Sequence, residues 1–116
     1  MKRFPGFRLV ESDGDLCWVG RIRSSLSSRR YNIRVRYPVA FPDSSPIVTI
    51  EKYRFPVGMP HLQGADKPCL FVPGEGSRYG YDPARTTAAT FVAWTALWIH
   101  AYETWRETGR WPGREI

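Results

Sequence analysis

The 116-residue chain is 42% hydrophobic and 15% aromatic, the balance of a folded chain, and its length suits one domain over residues 1–116. Its net charge of +6 comes mainly from scattered arginines, which make planar contacts with carboxylates or phosphates, so nucleic acid is the minor reading beside a solvated surface or an acidic protein partner. No apolar run reaches ~18 residues, no apolar stretch follows Met1-Lys2-Arg3, and Cys17 and Cys69 are too few for a disulfide framework, which together exclude a membrane span or secretory signal and favour a reducing cytoplasm.

The first half of the chain predicts an antiparallel sheet. Residues 7–11 form a short strand, ended by the turn-former Ser12-Asp13-Gly14-Asp15. Residues 16–23 form a second, followed by a polar loop over 24–30. The clearest strand is 31–37, where Tyr31, Ile33, Val35 and Tyr37 alternate with Asn32, Arg34 and Arg36. That period of two gives one buried face and one wet, cationic face. Prolines 38, 42 and 46 interrupt any ladder, since proline lacks the donor, and 47–52 makes a fourth strand.

Residues 53–85 carry Pro56, Gly58, Pro60, Gly64, Pro68, Pro73, Gly74, Gly76 and Gly80, and predict a long irregular loop, which in a compact domain usually serves function. A helix follows, capped by Asp82-Pro83 or by Thr86 or Thr87, and running to about Thr108 before Gly109 and Pro112. Phe91, Trp94, Trp98, Tyr102 and Trp105 recur at spacings of three and four, an aromatic stripe suited to covering the sheet. His100 falls on another face and reads as a surface or capping residue.

Cys69 lies in the irregular loop among turn-formers, where a nucleophile is displayed, whereas Cys17 in Leu16-Cys17-Trp18-Val19 reads as strand packing. A single Cys17–Cys69 bridge is the minor alternative. A free thiol titrates near about 8.5 and needs cationic help to act as a thiolate; Lys67 is two residues away, and Arg78 and Arg85 are the candidates to approach through the loop. A Cys–His protease needs a base and an orienting third group, and beyond His61 and His100 the sequence offers no such group. Zinc needs four ligands at paired spacings, which Cys17, Cys69, His61 and His100 lack. Neither metal nor cofactor is expected.

In order, the chain presents Trp18-Val19-Gly20, Tyr37-Pro38, Phe41-Pro42, Pro46-Ile47-Val48, His61-Leu62-Gln63, Gly64, Cys69-Leu70 and Tyr81-Asp82-Pro83-Ala84-Arg85-Thr86. This succession resembles the ubiquitin-conjugating-enzyme family. The tail from Thr104 to Gly113 is more like the stand-alone bacterial members found in CBASS anti-phage operons, which act on a cGAS-like nucleotidyltransferase. The resemblance implies an α+β fold: a four-stranded antiparallel meander covered by one long helix, with a long active-site loop.

The resemblance also assigns roles. Cys69 matches the thioester-forming nucleophile, and His61 matches the histidine that holds the loop's shape. Gln63 falls where the family has an asparagine, and its amide offers the same donors for an oxyanion. Leu62 replaces a proline, and the interval from His61 to Cys69 is shorter than the family's. Asp82 and Asp66 are the candidates to orient or deprotonate an attacking amine, both equally suited to a turn or cap. Six residues precede the first strand where the family has a docking helix, so an activating enzyme is expected to be recognised differently or not used. The implied activity is an acyl transferase forming a thioester between Cys69 and the C-terminal glycine of a cGAS-like nucleotidyltransferase or of a ubiquitin-like protein. The alternatives are a non-catalytic protein-binding module of the same fold and a nucleic-acid-binding domain using the arginine face.

Overall fold

The computed structural model describes residues 3–38, 46–70 and 87–112. Four antiparallel strands, β1 (Arg8–Ser12), β2 (Asp15–Arg23), β3 (Arg30–Tyr37) and β4 (Ile47–Glu51), pair in chain order as a meander. The β1–β2 turn pairs Ser12 with Asp15 around Asp13 (φ 53°) and Gly14 (φ 84°). Two left-handed residues in succession match the twist of the flanking strands, which is why Asp-Gly is favoured there.

Alternation sorts the sheet into two faces. Ile22, Tyr31, Ile33, Val35, Val48 and Ile50 point inward and are buried against the helix α1 (Ala88–Thr108). From that helix Phe91, Val92, Trp98, Ile99 and Tyr102 complete the core. Each such large side chain contributes about 1.5–3 kcal/mol on burial. Trp94 and Trp105, also in the expected stripe, sit at its flanks and are half-buried. Phe7 packs over β2 at Gly20, where an added Cβ would lie 2.6 Å from the Phe7 ring. Only a residue without a side chain lets the ring settle there.

The helix starts at Thr87, one of the expected caps. Thr87 Oγ1 accepts from Thr90 N at 3.4 Å, and Thr87 N donates to Thr90 Oγ1 at 3.2 Å, a reciprocal pair that satisfies two orphan groups. The alternative cap at Asp82-Pro83 lies outside the described residues. Gly109 closes the helix in the left-handed region (φ 76°), and its N–H donates to Trp105 O at 2.8 Å. Among the described residues, no helix is long and apolar enough to cross a membrane.

The polar loop 24–30 is tied to the helix by a buried carboxylate. Glu103 accepts from the hydroxyls of Ser24, Ser27 (2.9 Å) and Tyr31 (2.6 Å). Burial pulls its pKa upward, but these three donors and the Arg29 charge together outweigh it, and the carboxyl is held below its ordinary range. Burial, then the bond to Glu103, pushes the Tyr31 phenol well up.

On the outward face Arg34 pairs with Glu51 at 3.0 Å and Arg36 with Asp15 at 3.5 Å. Cys17 is fully buried on this same face, opposite Val10 and Arg36 in register. Contact with the Cys17 side chain, followed by Glu51, raises the pKa of Arg34. The packing role expected of Cys17 is what the structure gives, though under arginine stems and not within the apolar core. No disulfide joins it to Cys69.

Candidate active site

The segment after β4 departs from the expected irregular loop. Lys52 (φ 58°) turns the chain out of the sheet, and Tyr53, Phe55 and Met59 bring it back against the core. A short hairpin then forms from β5 (Leu62–Gln63) and β6 (Lys67–Pro68), with Leu62 opposite Pro68 and Gln63 opposite Lys67. Gly64 makes its turn at φ 61°, a conformation that glycine adopts without strain. Ile50 N donates to Asp66 O at 2.9 Å, fastening the hairpin to the edge of β4. Two-residue strands fall below what periodicity can detect, which explains the difference from the expectation.

Cys69 follows directly on β6. Pro68 and Leu70 are buried on either side of it, and Cys69 itself is half-buried. Lys67 Nζ pairs with Asp66 at 3.2 Å, so its ammonium is held locally and lies two residues from the thiol.

His61 organises this region through its backbone. Its carbonyl oxygen accepts from Cys69 N at 3.0 Å and from Trp98 Nε1 at 2.9 Å. One acceptor therefore links the thiol-bearing segment to the helix, using both lone pairs. His61 sits at φ 61°, a conformation uncommon for any residue with a side chain, though histidine is among the more tolerant. Its ring packs on Trp111 with centroids 4.5 Å apart. Trp98 is in turn stacked on Tyr102 at 5.6 Å and meets Phe55 edge-on at 5.5 Å, so the donor nitrogen is held by aromatic packing on two sides.

The structure thus brings His61, Gln63, Asp66, Lys67 and Cys69 together in and beside one hairpin. Gln63 is exposed and its side chain makes no hydrogen bond among the described residues. Asp82, Arg78 and Arg85 lie outside the described residues. His100 is exposed on the helix with Nδ1 3.5 Å from Ser25 Oγ. Beside the hairpin runs a groove of about 690 Å³, lined by Phe55, Val57, Met59, Leu62, Gly64 and neighbouring residues.

Sequence reasoning missed the indole of Trp98 as a partner of the loop, because the aromatic stripe reads as core alone. It also missed Glu103. The signal was present, since Val92, Ile99 and Glu103 fall on one helical face with Thr95, opposite a loop holding Ser24 and Ser27.

No curated protein matches the chain. Over residues 1–116 the sequence matches the family described as Type II CBASS E2 protein. The chain belongs to that family: it is an E2-like protein of CBASS operons.

Proposed function

We propose, proceeding from membership of the Type II CBASS E2 family, that Cys69 carries the C-terminal acyl group of a partner protein as a thioester. The partner is a cGAS-like nucleotidyltransferase, or a ubiquitin-like protein in the same role, met in the cytoplasm. The observation that supports this reading is the shared His61 carbonyl, which fixes the Cys69 backbone between buried Pro68 and Leu70 while Cys69 itself stays half-buried.

In the proposed step the Cys69 thiolate attacks the carbonyl carbon of an activated C-terminus, an acyl adenylate or a thioester on an activating enzyme. A C–S bond forms and the bond to the leaving phosphate or thiolate breaks. The thiol proton passes to solvent. Exchange of one thioester for another is nearly balanced, so positioning and an oxyanion donor carry most of the acceleration. Lys67, two residues away, is the cation proposed to favour the thiolate, His61 is assigned to holding the loop's shape, and the Gln63 amide is the donor proposed for the oxyanion. The neighbouring apolar groove takes the last residues of the incoming tail. Where an amine acceptor follows, Asp82, with Asp66 as the second carboxylate, orients it.

Incubation with the partner and an activation source is expected to give an adduct that thiols reverse. Cys69→Ala should abolish it and Cys69→Ser should leave a more stable oxyester. An adduct that persists in the alanine variant rules the reading out, whereas co-purification of the partner that is unaffected by Cys69→Ala favours a binding module without chemistry.

A further inference from the structure

The outward face of the sheet has two unlike halves. On β4 and at the β1–β2 turn, carboxylates answer arginines, with Glu51 on Arg34 and Asp15 on Arg36. At the opposite corner the register sets Arg8 against Val19, Arg21 against Asn32, and Arg23 directly against Arg30. All four of these arginines are exposed. Among the described residues none of them makes an ion pair, and Arg23 donates to Ser28 Oγ at 3.2 Å. Like charges directly opposite one another on paired strands are destabilising, and an arriving anion relieves that repulsion. A shallow depression of about 380 Å³ lies at this corner, lined by Arg8, Val19, Gly20, Arg21 and Asn32 with Gly6.

We propose that Arg8, Arg21, Arg23 and Arg30 form a docking surface for a carboxylate-rich segment of a protein partner. The same face already seats carboxylates on its arginines, and Arg34 Nε meets Glu51 at 3.0 Å, so the corner repeats a pairing pattern from which the acids are missing. The outward residues of β1 to β4 include no aromatic ring, which leaves nucleic-acid bases without a stacking platform. On the remainder of the face Asp15 and Glu51 neutralise Arg36 and Arg34, so a phosphate backbone running on across it would meet no net positive charge. The guanidinium fork matches a carboxylate with two parallel donors. The surface lies on the side of the sheet away from α1 and makes no use of Cys69, so it does not depend on the thioester reading.

Fluorescence anisotropy with a labelled peptide of ten glutamates, titrated with the intact protein, tests the proposal. Saturable binding that weakens with added salt is expected, together with amide shifts confined to β1, the end of β2 and the start of β3. Arg8→Glu with Arg21→Glu should weaken binding by about tenfold or more, with an unchanged melting curve as the folding control. If that variant fails to fold, Arg8→Gln with Arg21→Gln replaces it, and a smaller loss is expected. Cys69→Ala should bind the peptide as the parent does, which separates failure of this surface from failure of the thioester. Absence of saturable binding, an unchanged affinity in the folded double variant, or tighter binding of a ten-nucleotide thymidine strand would each overturn the proposal.

Discussion

Trp98 Nε1 donates to the carbonyl oxygen of His61 at 2.9 Å, and this bond couples the middle of the helix to the residue that also receives the Cys69 amide. Trp98→Phe keeps a ring in the core and removes the donor. The His61 oxygen retains Cys69 N, so a loss of about 1 kcal/mol is expected. Urea unfolding measures that loss, and faster hydrogen exchange at the Cys69 amide shows that it reaches the loop. Trp98→Ala, which also opens a cavity, should cost about 3–5 kcal/mol.

His61 separates a backbone role from an acid–base role. At φ 61° asparagine is tolerated and a β-branched residue is not. His61→Asn should keep most of the Cys69 adduct rate, whereas His61→Val should lose about 1–3 kcal/mol of stability and most of the adduct. An asparagine variant that folds normally but forms no adduct would assign the imidazole itself to the chemistry.

Glu103 makes stability dependent on pH in a known direction. Its folded pKa is depressed below the ordinary 4.5, so its contribution is fully present above that value and is lost as pH falls through the lower, folded value. Glu103→Gln should cost about 2–3 kcal/mol near neutrality, because one amide donor then faces hydroxyl donors. Urea midpoints of parent and variant taken from pH 7 downward should converge in acid. A constant gap across that range would assign the loss to shape alone.

Gly20 and Phe7 form a pair that can be tested by a cycle. Gly20→Ala brings a methyl to 2.6 Å from the ring and should cost about 1–3 kcal/mol by overpacking. Phe7→Leu alone leaves a void. Together the two should cost less than their sum, and thermal melts of the four proteins measure the coupling.

The two thiols should differ in reactivity. Cys17 is fully buried and Cys69 half-buried, so brief iodoacetamide treatment of the native protein should alkylate Cys69 alone. Denaturant should expose both. Equal labelling in the native state, read by peptide mass spectrometry, would contradict the placement of Cys17.

The meander was legible because Tyr31, Ile33 and Val35 alternate with Asn32, Arg34 and Arg36, and burial of a single face enforces that period. The helix was legible from its aromatic spacing and from Thr87 and Gly109 at its ends. The hairpin around Gly64 was not, since two-residue strands carry no period and Pro68 argued against pairing. The carbonyl of His61 could not be read at all, because backbone partners are set by tertiary placement and leave no mark on residue type. Glu103 left only a partial mark, its place on the helical face of Val92, Thr95 and Ile99. A carboxylate on a helix reads as solvated unless the donors that surround it are already known to be near.

The bond from Ile50 to Asp66 has a consequence for self-association. It engages the β4 edge of the sheet with the hairpin, so among the described residues the edge open to an added strand is β1. That edge is only five residues long and carries Arg8 and Glu11. Short, charged edges resist templated strand pairing. Aggregation of the native protein through its sheet is therefore one-sided and disfavoured, and a variant that frees the hairpin from β4 would create a second, more apolar nucleus for it.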